Sequence, residues 1–338
     1  MGFEAPAGSE PAAGSAASAG SKGRGPRWWV TRGALVVALG LLALALVSQW
    51  NDVRESFSLL TVSGVVSSGV LTVLAVGTTV LSWRALLAGL GAKLPLRAAV
   101  RIFFVGQIGK YIPGSVWPVL AQMELSRDYG VSRPKAASAS LVVLALAVPS
   151  GGLAAALTLP FVSADALAQY WWALVAVPVF AVLLCPPVLS RLLERAFRLL
   201  RRPGLDVPLT LRPIAAGAGW LLLSFVWYGL ATWLLVRDLD PEIGGARLVT
   251  LSLGAYALAW TAGFLVLVLP AGAGVREAVL VLALAPAIAS GPATLVALVA
   301  RLLATIADLV WAAVGVALRQ RHPGVIETSE QPNPTEPG

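Results

Sequence analysis

Cysteine and histidine are almost absent from this 338-residue chain, which contains one of each, Cys185 and His322. A disulfide within the chain is therefore excluded, and a metal site built from Cys and His side chains is not expected. The chain also shows no Ser-His-Asp set, Walker loop or dinucleotide-binding fingerprint. We accordingly predict no cofactor, no bound metal and no enzymatic activity.

Charged residues are also scarce, at 12% of the chain against roughly 25% in ordinary globular domains. Hydrophobic residues make up 57%. Runs such as GALVVALGLLALALV at 33–47 and LVTLSLGAYALAWTAGFLVLVLP at 248–270 are long enough, or nearly so, to cross ~30 Å of hydrocarbon as a helix. The composition therefore predicts an all-α fold, a polytopic bundle of membrane helices.

The apolar runs predict about eight transmembrane segments. They lie near 33–50, 60–83, 137–160, 170–190, 213–236, 247–269, 275–289 and 292–318. The seventh has about 15 residues, which is short for a complete span. The ends of the chain, 1–26 and 321–338, are rich in small and polar residues, so we expect disordered cytoplasmic tails around a transmembrane domain at 27–320.

The net charge of +8 comes mainly from arginine and lysine on one side of the predicted bundle. The largest basic group lies after the fourth segment and consists of Arg191, Arg195, Arg198, Arg201, Arg202 and Arg212. The positive-inside rule places both termini in the cytoplasm, and we expect a multi-pass protein of the bacterial cytoplasmic (inner) membrane. The basic excess then marks topology and affinity for anionic headgroups, so nucleic acid is not an expected partner.

The segment 98–126 lies between two basic clusters on the predicted cytoplasmic side, so a single crossing would invert every later helix. We predict that it enters from the cytoplasm, breaks at Pro113-Gly114, and returns in two limbs too short to span. Ser115 is placed to N-cap the returning limb. Because a helix N-terminus inside the membrane attracts an anion, and Lys110 adds a full positive charge, the segment is predicted to hold an anion.

A second interruption is predicted at LPAGAGVREAVL (269–280), where the sixth helix ends. The interrupting residues are Pro270, Gly272 and Gly274. Arg276 and Glu277 follow at the start of the short seventh segment. Proline and glycine, a nearby cation and a short apolar helix occur in both broken segments, and interrupted helices of this kind mark the binding site in many carriers.

Each broken segment also has a simpler interpretation. The first is compatible with an interfacial helix on the cytoplasmic surface, whose lysine extends to the headgroups. For the second, Arg276 and Glu277 are compatible with an ordinary ion pair in a cytoplasmic loop, which contributes little to stability. The sequence leaves these alternatives open.

The last predicted helix contains two charges, Arg301 and Asp308, within its apolar run. Seven residues are nearly two helical turns, so both side chains share one face about 10 Å apart. Neither is expected to face lipid, because an isolated charge there costs at least ~2.5–3.5 kcal/mol. The candidate partners are Glu277 or Glu124 for Arg301, and Lys110 or Arg276 for Asp308, either as structural locks or as functional residues.

Other polar residues are weaker candidates. Tyr111, Gln107 and Gln122 are placed either to contact a headgroup or to satisfy one another. An intramembrane transferase would have only Glu124, Glu277 and Asp308 as acids, with no recognisable nucleophile or base cluster beside them.

The motifs GKYIPGSVWPVLAQ, RDYGVSRPKA and LPAGAGVREAVL, followed by an arginine in the final helix, resemble the lysylphosphatidylglycerol synthase transmembrane-region family over roughly 30–320. The resemblance implies a flippase-like bundle that moves or presents a lipid with a charged headgroup. The residues that the resemblance implies are important for this function are the motif positions Lys110, Pro113, Gly114, Arg276, Glu277 and Arg301. Gln122 stands where many relatives are expected to have an arginine, which bears on headgroup specificity.

Full-length synthases of that family have a soluble aminoacyl-transferase domain after the membrane region. This chain ends about 20 residues after its last predicted helix, so that domain is expected to be missing, together with any aminoacyl-tRNA-dependent synthesis. The expected partners are an anionic or zwitterionic phospholipid or a polyprenyl-linked lipid.

The sequence therefore predicts translocation or presentation of a lipid with a charged headgroup. The alternative is a non-catalytic partner of a membrane enzyme, such as a polyprenyl-linked glycosyltransferase or a lipid-modifying enzyme. The candidate headgroup-binding residues are Lys110, Tyr111, Gly114, Ser115, Arg276, Glu277, Arg301 and Asp308.

Overall fold

The computed structural model describes residues 59–111, 116–162, 171–199, 210–239, 245–266 and 272–318. These ranges contain helices and no strand, which confirms the predicted all-α membrane bundle. The ten α-helices within these ranges are α1 (Val62–Gly89), α2 (Leu96–Gln107), α3 (Trp117–Arg127), α4 (Arg133–Thr158), α5 (Ala176–Leu184), α6 (Pro186–Leu199), α7 (Leu211–Leu239), α8 (Ala246–Leu265), α9 (Val275–Leu284) and α10 (Ser290–Ala317).

Five of these helices are long and apolar enough to span a membrane: α1, α4 with its 3₁₀ extension to Val162, α7, α8 and α10. They correspond to five of the predicted spans, so the chain is a multi-pass membrane protein. The predicted first span, 33–50, and the predicted tails lie outside the described residues. The predicted seventh segment is α9, whose ten residues extend about 15 Å, or half a bilayer core.

The predicted fourth span, 170–190, is wrong as a single helix. A 3₁₀ helix at Trp171–Val175 leads into α5, which ends at Leu184, and α6 starts at Pro186. Cys185 between them has φ −67° and ψ 133°. The cause is the Pro186-Pro187 pair, because proline pushes the preceding residue out of the helical region and then favours the first turn of a new helix.

Helices α1 and α7 run antiparallel and are joined by hydrogen bonds along their length. Ser68 donates to the carbonyl of Ala231 at 2.9 Å, and Ser224 donates to the carbonyl of Ala75 at 2.7 Å. Small hydroxyl side chains of this kind join helices in lipid, where apolar burial supplies little driving force. The pair forms the frame against which α4, α8 and α10 pack.

Helix α10 positions the two interrupted segments. Helix α2 packs along the C-terminal half of α10, since Phe104 of α2 stacks on Trp311 of α10 with ring centroids 4.9 Å apart. Helix α9 packs along the N-terminal half of α10. It starts beside Arg301 of α10, and residues 285–289 connect its end to the beginning of α10. The ends of α2 and α9 therefore meet near the middle of α10 from opposite directions.

Helices α7 and α8 approach closely at Gly229, where a Cβ atom would lie 2.6 Å from the Cα of Leu253. We expect Gly229→Ala to lower the free energy of unfolding by about 1–3 kcal/mol, because the backbones must separate to admit the methyl group. Unfolding in mixed detergent–lipid micelles measures the change.

Gly219 in the same helix is the matched control, since a Cβ atom there meets nothing within 4 Å. Gly219→Ala is expected to be neutral or to add about 0.5–1 kcal/mol through the better helix propensity of alanine. Equal losses in the two variants would contradict the close contact at Gly229.

Candidate functional site

An internal cavity of about 280 Å³ lies where α2 and α9 meet the middle of α10. Its walls come from α1, α2, α3, α4, α7, α8, α9 and α10, so most of the bundle contributes to it. Its polar lining consists of Thr79, Gln107, Lys110, Tyr111, Gln122, Ser140, Ser224, Tyr228, Arg276, Arg301, Thr305 and Asp308.

The first interrupted segment reaches the cavity as a helical hairpin. After α2 the chain continues as a 3₁₀ helix at Ile108–Tyr111, and α3 begins at Trp117. Gly109 lets the limbs touch, since a Cβ atom there would lie 2.9 Å from the backbone nitrogen of Pro118. Most of the predicted break lies outside the described residues, namely Pro113, Gly114 and Ser115.

Ser115 is not the N-cap of the returning limb, which is a correction to the sequence-based prediction. The N-cap of α3 is Val116, whose side chain makes no capping hydrogen bond. The reason is Pro118, which occupies the first turn of α3. Proline there has no N–H to satisfy and its fixed φ suits the start of a helix.

Lys110 and Tyr111 both bind Asp308 of α10. The Lys110 ammonium lies 2.6 Å from a carboxylate oxygen of Asp308, and the Tyr111 hydroxyl donates to the same oxygen at 2.6 Å. Asp308 is buried, whereas the Lys110 side chain is 34% exposed. Of the two partners that the sequence offered for Asp308, the structure selects Lys110, and the hairpin is thereby attached to α10.

Glu277 joins the second interrupted segment to α10. Its carboxylate accepts from Arg301 at 3.1 Å and from the backbone N–H of Gly274 at 2.6 Å. Glu277 is 6% exposed, so this is a buried pair. A carboxylate in the first turn also interacts favourably with the positive end of the α9 dipole.

Glu124, the other candidate partner of Arg301, lies on the surface instead. It accepts from Arg127 at 2.7 Å and from the Nε of Arg133 at 3.1 Å. These hydrogen bonds, chiefly that of Arg133, hold the pKa of the Glu124 carboxyl below its ordinary value. The prediction that Arg301 pairs with either Glu277 or Glu124 is therefore resolved in favour of Glu277.

Arg276 lines the cavity without an ion pair among the described residues. Its guanidinium carbon lies 4.7 Å from the ring centroid of Tyr256 and 6.0 Å from that of Tyr228, and these two rings stack on each other. One terminal nitrogen, Nη2, is buried and has no hydrogen-bond partner. Stacking uses the face of the guanidinium and leaves its N–H edge available to a ligand.

Gln122 belongs to a buried chain of hydrogen bonds on another wall. The Trp83 indole donates to the Ser140 hydroxyl at 3.1 Å, Ser140 contacts the Gln122 side-chain oxygen, and the Gln122 amide donates to the Phe103 carbonyl at 3.3 Å. The position at which an arginine was expected is therefore neutral and already hydrogen-bonded.

The structure brings most of the predicted site residues together. The cavity is lined by Lys110, Tyr111, Arg276, Arg301 and Asp308. Glu277 does not line it but forms an ion pair with Arg301, which does. The aromatic wall was missed and consists of Phe103, Phe104, Phe225, Tyr228, Trp260 and Phe264. Nothing in the local sequence separates these side chains from those that pack elsewhere in an apolar bundle.

A model of the family described as the lysylphosphatidylglycerol synthase TM region matches residues 31–312. The chain belongs to this family. The match includes every described helix, with α10 included up to its last turn, and it confirms the resemblance drawn from the GKYIPG and GVRE motifs. No curated protein matches the chain. As a member of this family the chain is a membrane protein, and its internal cavity is the candidate site of its activity.

Proposed function

We propose that this family member is a flippase-like protein of the bacterial inner membrane, which moves or presents a lipid with a charged headgroup. The observation that carries the proposal is the Arg276 guanidinium, which has no ion pair among the described residues and lines an internal cavity. A partnerless cation at membrane depth costs ~2.5–3.5 kcal/mol even on the lenient insertion scale. A headgroup phosphate offsets that cost, and the proposed process involves no covalent step.

In the proposed complex the headgroup occupies the cavity while the acyl chains remain in lipid. Helix α10 separates these two environments. Asp308 and Arg301 face the cavity, whereas Leu302 and Leu309 on other faces of the helix are exposed by 59% and 56% on the apolar exterior. The arrangement supports a lipid that lies partly inside the bundle and partly outside it.

The pair between Lys110 and Asp308 supplies a second contact point. The Lys110 side chain is partly exposed, so a phosphate that approaches the cavity competes with the Asp308 carboxylate for the same ammonium. Exchange of one partner for the other loosens the hairpin from α10. We propose that this exchange accompanies passage of the headgroup.

The proposal is tested by reconstituting the full chain into vesicles and measuring reorientation of a fluorescent phosphatidylglycerol by external quenching. Arg276→Gln is expected to slow reorientation roughly 10- to 100-fold, since a hydrogen bond to a charged group contributes ~1.5–3 kcal/mol. Lys110→Ala and Arg301→Ala test the other cations of the cavity. Size-exclusion profiles confirm that each variant is folded.

Arg97→Gln is the matched control, because Arg97 is exposed at the start of α2 and does not line the cavity. It is expected to move lipid at the rate of the parent. If Arg276→Gln, Lys110→Ala and Arg301→Ala all move lipid as fast as the parent does, the proposal is wrong.

The same lipid-reorientation assay distinguishes the flippase-like function from the alternative function, in which the chain is a membrane partner of a lipid-modifying enzyme. The observation in its favour is α6, which exposes Arg191, Glu194 and Arg195 on the helix that follows the break at Cys185. A partner protein has no reason to move lipid by itself. Reorientation by the purified chain alone therefore favours the flippase-like function.

A further inference from the structure

The charges around the cavity determine what kind of headgroup it can neutralise. Three cationic side chains line it, and two of them are already paired: Lys110 with Asp308 and Arg301 with Glu277. Arg276 has no carboxylate partner among the described residues. Among the described residues, three positive charges against two negative charges give the cavity one positive charge.

The described residues next to the cavity, and the two short gaps in the chain beside it, do not change this balance. The two gaps beside it, 112–115 and 267–271, contain only apolar residues, glycine, proline and serine. The nearest surface carboxylate, Glu124, is occupied by Arg127 and Arg133 and does not line the cavity. Gln122, which does line it, is neutral and hydrogen-bonded to Phe103 and Ser140.

The single positive charge persists at any physiological pH, because the arginine guanidinium does not deprotonate in proteins. In a low-dielectric interior the most favourable occupant is one that brings the net charge to zero. A phosphodiester carries one negative charge and does so. A phosphomonoester carries about −1.5 to −2 at neutral pH, and a pyrophosphate carries more than one, so both leave an uncompensated negative charge inside the bundle.

The cavity volume agrees with a small headgroup. About 280 Å³ lies at the low end of ligand pockets, which extend from roughly 300 to 1,000 Å³. The N–H edge of Arg276 that remains after stacking on Tyr256 offers parallel donors, and planar forks of this kind suit the two free oxygens of a phosphodiester.

We infer that the cavity selects lipids whose headgroup carries one phosphodiester charge and rejects phosphomonoester and pyrophosphate lipids. The inference rests on the proposed function and narrows its substrate class. Of the lipids that the sequence left open, it favours anionic glycerophospholipids such as phosphatidylglycerol and excludes polyprenyl carriers that end in a phosphate or pyrophosphate. Arg276 is the phosphate ligand. The two ion pairs neutralise the other four charged groups, so the cavity accepts a headgroup with only one negative charge, which we call the charge limit.

Competition binding tests the inference with the purified full chain in micelles. Phosphatidylglycerol labelled on an acyl chain is the reporter, and the competitors are phosphatidylglycerol, phosphatidic acid and diacylglycerol pyrophosphate with identical chains. We expect phosphatidylglycerol to compete at least tenfold better than either of the other two lipids. Arg276→Gln is expected to reduce binding of the reporter at least tenfold.

Two variants test the charge limit itself. Asp308→Asn removes a compensating carboxylate, and Thr305→Lys adds a cation to the lining while keeping all four residues of the two ion pairs. Whichever of them folds is expected to shift the preference at least tenfold toward phosphatidic acid and diacylglycerol pyrophosphate. Thr305→Val, which leaves the charge unchanged, is the control and is expected to keep the selectivity of the parent.

The outcomes separate the inference from the proposed function. If the parent binds the pyrophosphate lipid as tightly as phosphatidylglycerol, or if neither added charge changes the preference, the charge limit is wrong while lipid binding stands. If no labelled lipid binds the parent, the proposed function fails and the inference fails with it.

Discussion

Replacing Glu277 with alanine is expected to lower the free energy of unfolding by about 3–5 kcal/mol, which is the usual loss when one member of a buried ion pair is removed. Glu277 is 6% exposed and its carboxylate is shared between Arg301 and the backbone N–H of Gly274. The variant therefore removes the carboxylate that binds both the Arg301 guanidinium and the backbone N–H of Gly274. Unfolding in mixed detergent–lipid micelles measures the loss.

Two further variants separate the charge from the cap. Glu277→Gln keeps an oxygen that can accept from Gly274 but removes the negative charge of the buried pair with Arg301, so most of the loss is expected to remain. Adding Arg301→Gln to it removes both charges and is expected to restore part of the stability, since a buried pair is often neutral relative to an uncharged replacement.

Glu124→Gln is the surface control for this prediction. Glu124 also contacts two residues, Arg127 and Arg133, but its side chain is 57% exposed. Water replaces the lost partner there, so we expect little change in the free energy of unfolding. Equal losses for Glu277→Gln and Glu124→Gln would show that the pair of Glu277 with Arg301 is not buried as described.

The second large effect is expected at Gly272, where the chain turns back from α8 toward α9. Gly272 has a φ of 67°, and a Cβ atom there would lie 2.6 Å from the carbonyl oxygen of Gly263. Gly272→Ala therefore combines left-handed backbone strain of about 1–2 kcal/mol with overpacking of about 1–3 kcal/mol. We expect a loss of about 2–5 kcal/mol, together with weaker lipid reorientation because Arg276 follows four residues later.

Gly130 separates these two contributions. It has a φ of 70°, but a Cβ atom there meets nothing within 4 Å. Gly130→Ala is expected to show the strain alone, about 1–2 kcal/mol, with lipid movement at the rate of the parent. If both alanine variants lose the same stability, the close contact between Gly272 and Gly263 is contradicted.

Both interruptions were predictable from sequence because their causes are local. Proline and glycine act on the backbone wherever the chain goes, so GKYIPGSVWP and LPAGAGVRE predict breaks without reference to any neighbour. The structure shows both breaks in the described residues: the 3₁₀ helix ends at Tyr111 before α3 begins at Trp117, and α8 ends at Leu265 before α9 begins at Val275. Pro113, Gly114 and Pro270 themselves lie outside the described residues. The long apolar spans were predictable for the same kind of reason, since length and hydropathy belong to each segment by itself.

Two predictions, the N-cap of α3 and the span at 170–190, were wrong because a nearby proline opposed the signal on which each of them was based. Ser115 has the chemistry of an N-cap, but Pro118 moves the start of α3 to Trp117. The run at 170–190 has the hydropathy of a span, but Pro186-Pro187 ends its helix at Leu184. In both places a proline constraint on the backbone outweighs a preference carried by side chains.

The sequence by itself determined that this protein is a multi-pass helical bundle with two interrupted segments and with two charges, Arg301 and Asp308, inside a helix long enough to span a membrane. It did not determine which charges meet. Only the packing of α2 and α9 along α10 pairs Lys110 with Asp308 and Arg301 with Glu277. The same packing sets Arg276 against Tyr256, where it forms no ion pair with a carboxylate of the described ranges. Hydropathy and backbone breaks depend on neighbours in the chain, whereas an ion pair depends on distances between helices that the chain order does not encode.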